Sequence, residues 1–111
     1  IPDLERMKCG AEYMTGVHDF KSFTSNPYFK RSTVRNVDRI RIEREGDLIR
    51  FSFHGDGFLR SMVRIMVGTL LEIGQGILAP EQLPEILSAR DRTKAGPTAP
   101  AQGLTLERVE Y

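Results

Sequence analysis

The chain reads as an α+β domain, an antiparallel sheet with helices packed on one of its faces. Three observations predict this class. Residues 48–54 alternate apolar and polar side chains, the mark of a strand with one buried face. Residues 58–73 carry apolar side chains at the three- and four-residue spacing of a buried helix. The predicted elements run in the order α, β, β, α, α, β, which groups strands into a hairpin instead of alternating them singly with helices.

Residues 3–15 predict the first helix, because Leu4, Met7, Ala11 and Met14 form one apolar stripe and Gly16 can end it. Residues 17–33 are rich in Ser, Asn, Pro and aromatics, and predict one helical turn at His18–Phe23 followed by a loop. Residues 34–45 are rich in β-branched residues, with Ile40 and Ile42 on one face, and Glu45-Gly46-Asp47 supplies a turn. In the next strand Ile49, Phe51 and Phe53 share a face opposite Arg50, Ser52 and His54. Gly55-Asp56-Gly57 predicts a turn, with Asp56 as candidate N-cap of the helix over 58–73. Phe58, Met62, Ile65, Met66, Thr69 and Ile73 make one broad face of that helix, and Gly74 and Gly76 stop it. A shorter helix is expected over 81–89, since Pro80 or Pro84 fits a first turn where the missing N–H costs nothing. Residues 91–103 read as a Pro- and Gly-containing loop and 104–110 as a closing strand.

The 111 residues suit a single domain, and an apolar content of 40% excludes extended disorder. Net charge is only +1 but unevenly spread. From Lys30 to Arg64 there are nine Lys or Arg against five acids, whereas the flanking segments are slightly acidic. A basic middle suits phosphate contacts and equally suits a solvated strand surface. Cys9 is the only cysteine, which excludes an intrachain disulfide and a thiolate metal cluster and fits a reducing cytoplasm. No stretch is long and apolar enough to span a membrane. The start at Ile1-Pro2, without Met, leads us to expect a piece of a longer protein.

Four features carry candidate chemistry. Arg64 lies among apolar neighbours in Met62-Val63-Arg64-Ile65-Met66, so burial would demand a carboxylate or phosphate beside it. Solvent, Asp56 or Glu72 would satisfy it otherwise. Arg60, four residues earlier on the expected helix, would complete a phosphate clamp or merely a solvated edge. The stiff segment from Ala95 to Leu104 fits a pocket wall or a plain connector. His18-Asp19 suggests acid–base chemistry or a helix cap. Tyr28-Phe29-Lys30-Arg31 sets aromatics beside cations, a combination that suits RNA.

The ordered set is more specific than any member. Gly16-Val17-His18-Asp19-Phe20-x-Ser22-Phe23, Gly55-x-Gly57-Phe58-Leu59-x-x-Met62-Val63-Arg64, Val67-Gly68-Thr69-Leu70 and Asp91-Arg92-x-x-Ala95-Gly96-x-Thr98-Ala99-Pro100-Ala101-x-Gly103-Leu104-x-Leu106 follow one another. Together they resemble the C-terminal domain of the bacterial tRNA pseudouridine synthase A family. The resemblance implies the C-terminal half of a split antiparallel sheet and an enzyme that isomerises uridine in the anticodon arm of tRNA. It also implies an aspartate as the catalytic group, no metal or organic cofactor, a homodimer with tRNA as partner, and a cytoplasmic location.

Residue by residue, the resemblance makes Arg64 the partner of the catalytic aspartate and Leu104 the apolar wall beside the target base. Phe58 and Leu59 would pack near the same cleft, and Lys30, Arg31, Arg35 and Arg60 would be candidates for tRNA backbone contacts. The family's Gly-Arg-Thr-Asp motif does not occur here, and Thr15 stands where that aspartate would be needed. The whole chain, 1–111, is therefore expected to be one C-terminal domain, inactive without the half that bears the aspartate. A free-standing RNA-binding module without catalysis, or a dimerisation domain with no RNA contact, are the competing readings.

Overall fold

The computed structural model describes residues 2–26, 28–100 and 105–106. The α+β class holds. Helix α1 (Leu4–Met14) leads into strand β1 (Gly16–Asp19), which is followed by a 3-10 turn at Lys21–Phe23. Strands β2 (Val34–Glu45) and β3 (Leu48–Gly55) form the hairpin. Then come helix α2 (Met62–Gly74), helix α3 (Leu83–Ala89) and strand β4 (Thr105–Leu106). The sheet order is β1-β2-β3-β4, antiparallel from β1 to β3.

Each element answers to its sequence. Asp3 caps α1 by accepting from the Glu5 and Arg6 amides, and Met7, Ala11 and Met14 turn inward. The hairpin closes through a two-residue loop, since Glu45 pairs with Leu48. Gly46 supplies the positive φ of 60° that the first position of a type II′ turn needs. On the inner face of the sheet Val37, Ile42, Phe51 and Phe53 are buried. Val37 shares a face with Ile40 and Ile42, against simple alternation, because the β2–β3 register slips between Val37 and Arg39. Asp38 is the extra residue of this bulge, and it resets the phase of the strand.

Helix α2 is the centre of the core, with Met62, Ile65, Met66, Leu70 and Ile73 fully buried. Near its C-terminus the Ile73 carbonyl accepts from Arg6 Nε at 2.7 Å, while an Nη of Arg6 donates to the Leu78 carbonyl, beyond the helix, at 2.8 Å. A cation there also opposes the negative end of the helix dipole.

Four expectations are corrected. His18 and Asp19 lie in a strand, not in a helical turn: β1 is only four residues long and owes its form to pairing with Val34–Val37 of β2. Helix α2 starts at Met62, four residues later than expected, because Ser61 adopts a left-handed φ of 61° that interrupts the helix. Asp56 therefore caps nothing there; its carboxylate accepts from the Asn36 amide at 3.0 Å. The span expected as one helix over 81–89 divides into a 3-10 turn (Pro80–Gln82) and α3. Finally, β4 pairs with β3 in parallel, Ser52 opposite Thr105 and Phe53 opposite Leu106.

Candidate active-site wall and nucleic-acid face

Arg64 lies in the first turn of α2 and is half-buried. Its Nε donates to the Ala99 carbonyl at 2.7 Å, and the Ala99 amide donates back to the Arg64 carbonyl at 3.0 Å. The partner is thus a backbone carbonyl. Among the described residues no carboxylate reaches Arg64, and neither Asp56 nor Glu72 pairs with it. The remaining guanidinium donors make no hydrogen bond among those residues.

The segment from Ala95 to Ala99 is fastened to α2 at two further points. The buried Thr69 hydroxyl accepts from the Gly96 amide at 2.9 Å and donates to the Ile65 carbonyl at 2.8 Å. At Gly68 the two backbones touch: a Cβ there would lie 1.7 Å from the Pro97 carbonyl oxygen, so no side chain fits. Arg64, Gly68 and Thr69 thus form one strip of α2 on which the loop lies. Leu104, the expected pocket wall, lies outside the described residues.

The turn before α2 gathers other expected residues. Leu59 is buried at 6% exposure, and its amide points at the Met62 sulfur, 3.4 Å away. Phe58 packs at the edge of the core. The Arg60 carbonyl accepts from the Thr24 hydroxyl and from the Ser25 amide, both at 3.1 Å, while its side chain is exposed. Since Arg60 precedes the helix, the two-arginine clamp on one helical face does not form. Arg35 donates to the Ser32 and Val34 carbonyls and lies against Gly57, where a Cβ would be 3.5 Å from its Nε. Lys30 and Arg31 are exposed on the intervening loop, next to Tyr28 at 85% exposure.

His18 and Asp19 do not form an acid–base pair. His18 Nε2 lies 3.0 Å from the Thr15 carbonyl. Asp19 accepts from Thr33 Oγ1 at 2.5 Å and from the Lys21 amide, and pairs with Arg90 at 2.9 Å. Phe20 and Phe23 are core residues, fully buried. Ser22 between them donates to the Ile86 carbonyl at 2.7 Å and accepts from the Asp91 amide at 2.9 Å. The run holds the sheet to α3.

The open face of the sheet is polar and basic, with Arg39, Arg41 and Arg50 on it. At the bulge, His54 Nδ1 lies 2.7 Å from Asp38 Oδ1. That hydrogen bond holds the Asp38 carboxyl below its ordinary range, outweighing the opposing effect of desolvation. The Thr69–Gly96 fastening escapes a reading of the sequence. Its one signal there is a small polar residue and a glycine standing in two motifs of the same ordered set.

Three of the four ordered motifs, those that carry Arg64, Gly68 with Thr69, and Ala95 to Ala99, thus meet in space along one strip of α2. A family profile described as tRNA pseudouridine synthase matches residues 11–111. The chain belongs to the tRNA pseudouridine synthase family. It is 52% identical over 109 residues to the tRNA pseudouridine synthase A of Moorella thermoacetica, covering 98% of this chain and 44% of that relative. The corresponding protein of Brevibacillus brevis is 49% identical, with 98% and 45% covered. That of Geobacter sulfurreducens is 44% identical at the same coverage. The chain spans less than half the length of these relatives. Among the described residues no helix is long and apolar enough to cross a membrane.

Proposed function

We propose that this chain is the C-terminal half of a cytoplasmic, homodimeric enzyme that isomerises uridine to pseudouridine in the anticodon arm of tRNA. In that reaction the N-glycosidic bond breaks and the base rejoins the ribose through carbon. The observation that carries this reading is Arg64: a half-buried guanidinium, held by Ala99 through Nε, with its other donors unspent among the described residues. A guanidinium so placed favours the ionised form of a carboxylate brought against it. The catalytic aspartate is that carboxylate, supplied by a Gly-Arg-Thr-Asp segment elsewhere in the full-length polypeptide.

On this reading Leu104, delivered by the fastened loop, forms the apolar wall beside the target base. Phe58 and Leu59 shape the neighbouring cleft, and Lys30, Arg31, Arg35 and Arg60 meet the tRNA backbone. The chain uses no metal or organic cofactor, and without the aspartate-bearing half it is inactive.

The test is pseudouridine formation on unmodified tRNA by the full-length protein, with Arg64→Ala beside wild type. Modification of the anticodon arm by wild type, and its near loss in a folded Arg64→Ala protein, is the expected result. A wild-type protein that binds tRNA and forms no pseudouridine overturns the enzyme reading in favour of a non-catalytic RNA-binding module.

A further inference from the structure

Strand β2 is twelve residues long, and β1 covers only Val34–Val37 of its outer side. From Ile40 to Glu45 that side pairs with no described strand, so its backbone donors and acceptors face outward as a template for another strand. Beside it runs a groove of about 410 Å³, walled by Lys8, Ala11, Glu12 and Thr15 of α1 and its C-cap and floored by residues 40–43 of β2.

The side chains along this edge select one kind of partner. The sequence Ile40-Arg41-Ile42-Glu43-Arg44 places Arg41 and Glu43 symmetrically about Ile42. Paired antiparallel with a second copy of itself about Ile42, the edge puts each Arg41 opposite a Glu43 on the open face, and Ile42 opposite Ile42 on the inner face. Parallel in-register pairing would set Arg41 against Arg41 and Glu43 against Glu43. Antiparallel pairing centred on Arg41 or on Glu43 would likewise oppose like charges at the axis, which is unfavourable directly across a ladder. Among the described residues neither Arg41 nor Glu43 makes an ion pair, and both are exposed. On the groove wall Lys8 and Glu12, one helical turn apart, repeat the same balance of one cation and one anion.

We infer that the outer edge of β2 is a two-fold interface, at which two copies of this chain join their sheets antiparallel about Ile42. This deepens the homodimer reading above and rests on it. It makes one continuous sheet across the dimer, with the basic open faces of both copies on the same side.

The experiment measures the dimer dissociation constant of the full-length protein by light scattering and sedimentation. Arg41→Glu and Glu43→Arg should each weaken self-association by at least about tenfold, because each opposes like charges twice across the axis. Mixing these two variants should restore a tight heterodimer. The carboxylate introduced at position 41 of one chain then faces the guanidinium introduced at position 43 of the other, and the unaltered Glu43 and Arg41 face each other as before. An unchanged dissociation constant in the single variants, no gain on mixing, or a monomeric wild type overturns the interface. Pseudouridine formation is read on the same samples. A dimer with these charge responses but no activity counts against the enzyme reading and leaves the interface standing.

Discussion

Arg64 and Ala99 hold each other twice, Nε to carbonyl at 2.7 Å and amide to carbonyl at 3.0 Å. The pair fixes the guanidinium plane with its own loop, so the remaining donors keep a set direction before any partner arrives. Lysine has neither the fork nor the Nε donor. Arg64→Lys in the full-length enzyme is therefore expected to behave like Arg64→Ala, lowering the pseudouridine-forming rate by about 100-fold or more. Single-turnover assays on anticodon-arm RNA check this, and recovery of most activity by lysine would show that charge alone suffices.

Gly68→Ala tests the closeness of helix and loop. The added methyl meets the Pro97 carbonyl oxygen at 1.7 Å, and backbone on both sides has to shift. Overpacking of this kind costs about 1–3 kcal/mol. Chemical denaturation should show that loss, and activity should fall further than stability because the loop carries Ala99 away from Arg64.

Thr69→Val keeps the shape and removes the acceptor for the Gly96 amide. A buried amide left without a partner costs about 1–3 kcal/mol. Thr69→Ser keeps the hydroxyl and should restore most of the activity; if valine and serine behave alike in denaturation and in activity, the hydroxyl has no role in holding the loop.

Acid should weaken the sheet at its bulge. The Asp38 carboxyl is held below its ordinary value of 3.8 by the His54 hydrogen bond. A carboxyl depressed in the folded state adds stability above its unfolded pKa and loses it as pH falls through the folded one. The contribution is therefore intact well above pH 3.8 and fades as pH drops below that value. Melting curves across that range should show a steeper decline for wild type than for Asp38→Asn.

Much of this architecture is legible residue by residue, and the exceptions share a cause. The alternation over 48–54 and the stripe over 62–73 record burial by local period, so β3 and the body of α2 follow directly. Strand β1 has four residues and no period of its own; partner choice across the chain makes it a strand. The parallel sense of β4 is likewise a non-local matter. The start of α2 hides because Phe58 and Leu59 are apolar for packing before the helix, not within it. At the site, Arg64 and the loop over 95–99 stand out separately. Their union depends on Gly68 and Thr69, whose meaning appears only when two backbones meet.

The bulge at Asp38 also sets which changes of length this strand tolerates. Val37 pairs with Gly55 and Arg39 with His54, neighbours on β3, so Asp38 is spare in the ladder. Deleting it closes the two strands into a plain ladder, with Val37, Ile40 and Ile42 still facing the core and Arg39 and Arg41 still facing out. Deleting Arg41 has no such escape. The two sides of the gap fall out of phase, and either Ile42 meets water or the stretch before it turns inside out. One-residue deletions should therefore survive at position 38 and be purged from 40 to 44, a contrast between neighbouring positions that a deletion scan of the full-length gene would read out directly.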